Sequence, residues 1–113
     1  MKTLQKDLTT PEQSKRLLEL GVPKVTANYY YDSRDFKPQA HEVRGHWNEE
    51  DDYAARRGYK ITPLWSAGRL IEIYEICFGG YFNSRYLGHT LMEDVLLKIE
   101  EQIDSMDFSK LEE

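Results

Sequence analysis

The chain has 113 residues, a length that fits one domain and one hydrophobic core, and its 40% apolar and 31% charged content excludes a disordered composition. The formal net charge of −5 is concentrated late: residues 61–113 carry four basic and ten acidic groups, which argues against a C-terminal half that grips phosphates. A single cysteine, Cys77, excludes an intramolecular disulfide; with no transmembrane-length apolar run and no signal-peptide pattern at residues 1–7, the sequence predicts a cytoplasmic protein without membrane contact.

The first organised segment is announced by Thr10-Pro11-Glu12-Gln13: a capping hydroxyl, a proline at the first helical position and a glutamine three residues after the cap. These signals predict a helix from Pro11 to Leu20, with Leu17, Leu18 and Leu20 inward and Gly21 as its stop. Ala27, Tyr29 and Tyr31 alternate with Asn28, Tyr30 and Asp32, which predicts a strand, and Ser33 to Pro38 reads as a hairpin connection. His41, Val43, Gly45 and Trp47 alternate with Glu42, Arg44 and His46, predicting a second strand, and Asn48 to Asp52 reads as a charged turn.

Tyr59 to Thr62 is expected to form a short third strand ahead of a helix capped by Ser66, with Trp65 packing on Leu70 as a hydrophobic staple. Leu70, Ile73, Ile76 and Cys77 fall on one face of that helix, widened by Ile71 and Tyr74, and Gly79 and Gly80 end it. Tyr81 to Leu87 is a candidate fourth strand. Thr90 and Glu93 form a capping box for a third helix with Leu91, Met92, Val95, Leu96, Ile99 and Ile103 inward and acids outward. The expected fold is α+β: a small, mainly antiparallel sheet of three to four strands packed with three helices. It is a single domain over 1–113, with 1–8 and 106–113 as candidate tails.

Thr9 to Pro23 (TTPEQSKRLLELGVP), Ile61 to Cys77 (ITPLWSAGRLIEIYEIC) and Met106 to Glu113 (MDFSKLEE) resemble the beginning, middle and end of a family of short uncharacterised Bacteroidales proteins from prophage or conjugative-element contexts. The resemblance implies a bacterial, intracellular protein of mobile-element type and brings no catalytic residues. The block from Tyr29 to Tyr59 matches no family pattern and is read on its own terms.

Within that block, His41 and His46 with the acids at 42 and 49–52 offer nitrogen and oxygen donors, and His89 or Cys77 would complete a metal set. On a strand, however, positions 41 and 46 point to opposite faces, and no paired-cysteine or helical histidine motif pre-organises zinc. Cys77 lies on the apolar face near the C-terminal end of its helix, where both burial and the helix dipole disfavour a thiolate. No serine sits in a nucleophile elbow, and the glycines at 79 and 80 follow a helix rather than precede one, so no catalytic, metal or cofactor residue is expected.

Two contact surfaces remain. Tyr29, Tyr30, Tyr31, Arg34, Arg44, Trp47, Arg56, Arg57, Tyr59 and Lys60 interleave aromatic and basic groups, as sheets that bind single-stranded nucleic acid do. The eight acids after Thr90 present a face suited to a basic protein. The sequence therefore predicts a non-enzymatic protein-interaction or accessory module, with Tyr30, Arg44, Trp47, Arg57, Glu100 and Glu101 as candidate contacts. Its partner is expected to be a protein, with single-stranded nucleic-acid binding as the alternative and a small metal-dependent enzyme as a further one.

Overall fold

The computed structural model describes residues 7–43, 47–83 and 90–111, with backbone alone at 48–50. Four α-helices and a three-stranded antiparallel sheet follow in the order α1 (Pro11–Leu20), β1 (Tyr29–Asp32), β2 (Ala40–Glu42), α2 (Trp47–Arg57), β3 (Ile61–Leu64), α3 (Ala67–Phe78) and α4 (Leu91–Glu101). This is the α+β architecture expected, with one helix more than expected. Single 3₁₀ turns at Lys24–Thr26, Ile103–Ser105 and Phe108–Leu111 tie the elements together.

The three legible helices start where their caps place them. Gln13 N donates to Thr10 Oγ1 at 3.1 Å while Thr10 N donates to Gln13 Oε1 at 2.9 Å, so two N–H groups that the first turn leaves without helical partners are satisfied reciprocally. Thr90 and Glu93 repeat the arrangement at the same distances. Ser66 Oγ accepts from Arg69 N, and the Asn28 amide braces that cap by donating to Ser66 Oγ at 2.9 Å and accepting from Ser66 N at 3.1 Å. Gly21, at φ 102°, closes α1 with its N–H directed to Leu17 O and Leu18 O, a left-handed conformation that a Cβ would strain.

β1 is the central strand, with order β2-β1-β3. Tyr30 lies opposite His41 on one side and Pro63 on the other. Ser33 N donates to Lys60 O, which makes every second pair along β1–β3 hydrogen-bonded and leaves Tyr30–Pro63 a non-bonded pair. Proline therefore stands where its nitrogen faces the outer edge, so β3 gives up no ladder bond and offers one donor fewer to a stray strand. Beyond Leu64 the edge is covered: Thr9 N donates to Trp65 O, Ala67 N donates to Asp7 O, and Leu8 bridges Ser66.

The core joins α1, the sheet end, α3 and α4 through Leu17, Trp65, Leu70, Ile73, Val95 and Ile99, all 1% exposed or less. Each such side chain contributes roughly 1.5–3 kcal/mol of burial, so this cluster, rather than helix propensity, holds the short helices in place. In α3 the buried face is Leu70, Ile73, Tyr74 and Cys77, whereas Ile76 turns out and is 40% exposed. In α4, Leu91 is 44% exposed and Asp94 is buried to 1%, so the acidic face is narrower than expected.

Two expectations are corrected. The run His41–Trp47 is not one strand: β2 ends at Glu42 and Trp47 opens α2, which also absorbs the presumed turn Asn48–Asp52. Residues 7–9 are tied to the end of β3 by the backbone bonds just named, and Met106 to Leu111 to α3 by Asp107 N donating to Cys77 O and packing of the last 3₁₀ turn. Tyr81 to Asn83 forms no strand, and the remainder of that candidate, Ser84–Leu87, lies outside the described residues.

Candidate interaction surface

The sequence-predicted contacts separate in the fold. Trp47 is withdrawn from the surface: it is 5% exposed, its indole N–H donates to Ala27 O at 2.9 Å, and it belongs to the core. As the first residue of α2 it packs inward, its ring edge-on to Tyr30. Tyr30 is half-buried, stacked on His41 at 5.3 Å and edge-on to Trp47 at 6.1 Å, so its ring stabilises the joint between sheet and α2. Glu100 is exposed but engaged, accepting from Arg16 Nη2 at 2.6 Å; that guanidinium lowers the carboxyl's pKa and clamps α4 to α1. Glu101 is exposed, with Lys98 Nζ at 4.0 Å. Arg44, His46 and His89 lie outside the described residues.

Arg57 stays at the surface, and it belongs to a group that only the helical form of residues 47–57 assembles. From α2 its guanidinium lies over the Tyr53 ring at 5.0 Å, one helical turn apart. The Tyr53 ring meets Tyr59 edge-on at 6.2 Å, and the Arg34 guanidinium covers the Tyr59 face at 3.6 Å. Arg34 itself is held by Asp32: Nε donates to Oδ1 at 3.0 Å and Nη2 to Oδ2 at 2.6 Å, a fork that leaves Nη1 pointing away from the carboxylate. The bonds from Arg34 lower the Asp32 pKa, and those to Asp32 raise that of Arg34, so the pair is ionised throughout the ordinary pH range.

This ladder sits at the hairpin end of the sheet, where Ser33 and Lys60 are joined twice, by Ser33 N to Lys60 O and by Lys60 N to Ser33 Oγ, both at 3.0 Å. The loop leaving that end carries Phe36, 96% exposed, and Lys37. Among the described residues Lys37, Arg57 and Lys60 have no carboxylate within ion-pair distance, whereas Arg34 and Arg56 are paired with Asp32 and Asp52. A protein of net charge −5 thus places at one end, among the described residues, three cations without a carboxylate partner and two exposed rings, Phe36 and Tyr53. Tyr53 and Phe36 were not among the sequence candidates, Tyr53 because the i, i+4 pairing with Arg57 exists only if the segment is helical.

His41 Nε2 and Asp35 Oδ2 are 2.7 Å apart across the hairpin. No group of three or more His, Cys, Asp or Glu able to hold a metal ion lies together among the described residues. Cys77 is 1% exposed, and burial pushes its thiol pKa up. An open cleft beside α3 is lined by Asn28, Ser66, Arg69, Glu72, Glu75 and Ile76. Its charged groups are committed, Arg69 donating from Nε to Thr26 O at 2.9 Å and from Nη1 to Glu72 Oε1 at 2.6 Å. No helix of the described residues is long and apolar enough to cross a membrane. No family model, curated protein or solved structure matches this chain.

Proposed function

We propose that the protein is a non-enzymatic interaction module, a cytoplasmic accessory factor of a bacterial mobile element, that docks a protein partner on the hairpin end of its sheet. One observation carries the reading: Lys37, Arg57 and Lys60 lack carboxylate partners among the described residues and share the hairpin end of the sheet and the adjoining end of α2 with exposed Phe36 and Tyr53. Aromatic rings with arginine, rimmed by further charge, are the composition of contact hot spots. The mobile-element context comes from the resemblance of the Thr9–Pro23, Ile61–Cys77 and Met106–Glu113 segments alone. Nucleic-acid binding through Tyr30 and Trp47 has less support, because both rings are engaged inside the molecule.

The test is affinity purification of the tagged protein from a Bacteroidales host, with nuclease-treated extract and a Tyr53→Ala/Arg57→Glu double variant in parallel. A single protein retained at near-stoichiometric amount by the wild type, insensitive to nuclease and lost with the variant, is expected. Retention of nothing, or of material that disappears on nuclease treatment, overturns the reading.

A further inference from the structure

We infer that the element recognised at the hairpin end is a short acidic peptide segment carrying an apolar side chain, an inference that rests on the docking role proposed above. Four features of the surface select that chemistry.

Charge comes first. Lys37, Arg57 and Lys60 are exposed and without carboxylate partners among the described residues, so this end attracts anions although the chain as a whole is acidic. The second feature is pre-organisation. The Asp32 fork and the Tyr59 ring fix Arg34 as a flat cation whose Nη1 edge is not taken by Asp32, so little rotamer entropy is lost when a second carboxylate is accepted there.

The third feature separates a peptide from a nucleic-acid strand. Stacking of successive bases needs open ring faces, but one face of Tyr59 is covered by Arg34, its neighbour Tyr53 meets it edge-on, and the Arg57 guanidinium lies over Tyr53. A phosphate chain long enough to bind by charge would also meet the repulsion of a protein with ten acids in residues 61–113, whereas a few carboxylates confined to this end would not. The fourth is Phe36, 96% exposed in the hairpin loop and followed directly by Lys37: an aromatic side chain left in water at this end of the sheet is matched by an apolar residue between acids.

The experiment is calorimetric titration of the full chain at low salt with three probes. They are a peptide of about a dozen residues rich in aspartate with interspersed leucine, the same peptide with asparagine for aspartate, and an oligothymidylate of similar length. The acidic peptide is expected to bind at least roughly tenfold more tightly than the other two, and to weaken as ionic strength shortens the screening length.

Arg57→Glu and Lys60→Glu, both at exposed positions, are expected to weaken the peptide roughly tenfold or more each while the melting temperature is retained. Lys15→Glu on α1 serves as a charge-matched control without effect. Equal binding of the asparagine peptide, preference for the oligonucleotide, or indifference to Arg57→Glu each overturns the inference. If the peptide fails while the purification still retains a protein through Tyr53 and Arg57, the acidic chemistry is wrong and the docking role stands; if the purification retains none, the docking role itself falls.

Discussion

The indole N–H of Trp65 donates to the Thr26 hydroxyl at 2.9 Å, deep in the core. The hydroxyl in turn donates to Pro23 O at 2.6 Å, and the Thr26 carbonyl accepts from Arg69 Nε, so one residue of a 3₁₀ turn joins the start of the sheet to α3. Thr26→Val keeps the shape and removes the acceptor, leaving a buried N–H without a partner. A loss of about 1–3 kcal/mol is expected in urea unfolding, and Thr26→Ser recovers part of it. Equal stability of the valine variant and the wild type would show that the bond contributes nothing.

How far such features can be read from sequence depends on whether their signals are local. Thr10 with Gln13 and Thr90 with Glu93 declare their helices within four residues, and Pro11–Leu20 is found as expected. The α2 helix was hidden because Val43, Gly45 and Trp47 fit a strand period and no capping residue stands out at its start. Other signals were present: acids at 49–52, Ala54 and Ala55, then Arg56 and Arg57 ahead of Gly58 at φ 79°, a charge gradient that suits the helix dipole and a left-handed stop. Because Tyr53 and Arg57 meet only when that segment is helical, a strand reading of its start finds Arg57 but not its pairing with Tyr53. The pairing of Arg16 with Glu100 spans 84 positions and has no local trace at all.

The Asp32–Arg34 fork makes stability depend on pH with a definite sign. The Asp32 pKa is lower in the folded protein than in the unfolded chain, first through the hydrogen bond from Arg34. Its contribution is therefore fully present above the unfolded aspartate value of roughly 3.9 and disappears as pH falls through the folded value. Asp32→Asn keeps the acceptor for Arg34 N, now 2.9 Å from Oδ1, and removes the charge. Melting curves from neutral to acid pH are expected to show the variant less stable by a constant margin near pH 7 and the margin closing below about pH 4. A margin that does not change with pH would mean the ion pair adds nothing beyond the neutral hydrogen bond.

Cys77 offers a probe of the core from inside. Burial raises its thiol pKa, and the Cys77 carbonyl accepts from Asp107 N, so the C-terminal 3₁₀ turns are drawn toward the same part of α3. Both low thiolate population and lack of access slow thiol exchange. Labelling with an aromatic disulfide reagent at pH 8 is expected to be slow in the native protein and complete within seconds in denaturant. Truncation before Asp107 is expected to speed native labelling by at least about tenfold, as local opening becomes less costly. Fast labelling of the intact chain would contradict the packing around α3.

Trp47 and Tyr53 stand six residues apart on α2 and are expected to separate folding from docking. Trp47 is buried, donates to Ala27 O, meets Tyr30 edge-on and lies 5.3 Å beneath the Lys24 ammonium, so Trp47→Ala removes a large ring and orphans a carbonyl together. A loss of about 3–5 kcal/mol follows, enough to unfold much of a marginally stable domain at 37 °C. Tyr53 is 44% exposed and touches Tyr59 and Arg57 at the rim, so Tyr53→Ala is expected to change stability by about 1 kcal/mol or less while weakening partner capture. Thermal melts and capture assays on the same two preparations check both halves. A Tyr53→Ala protein that melts like the wild type and captures equally well removes Tyr53 from the contact surface, and a Trp47→Ala protein that melts like the wild type contradicts the inward packing of α2.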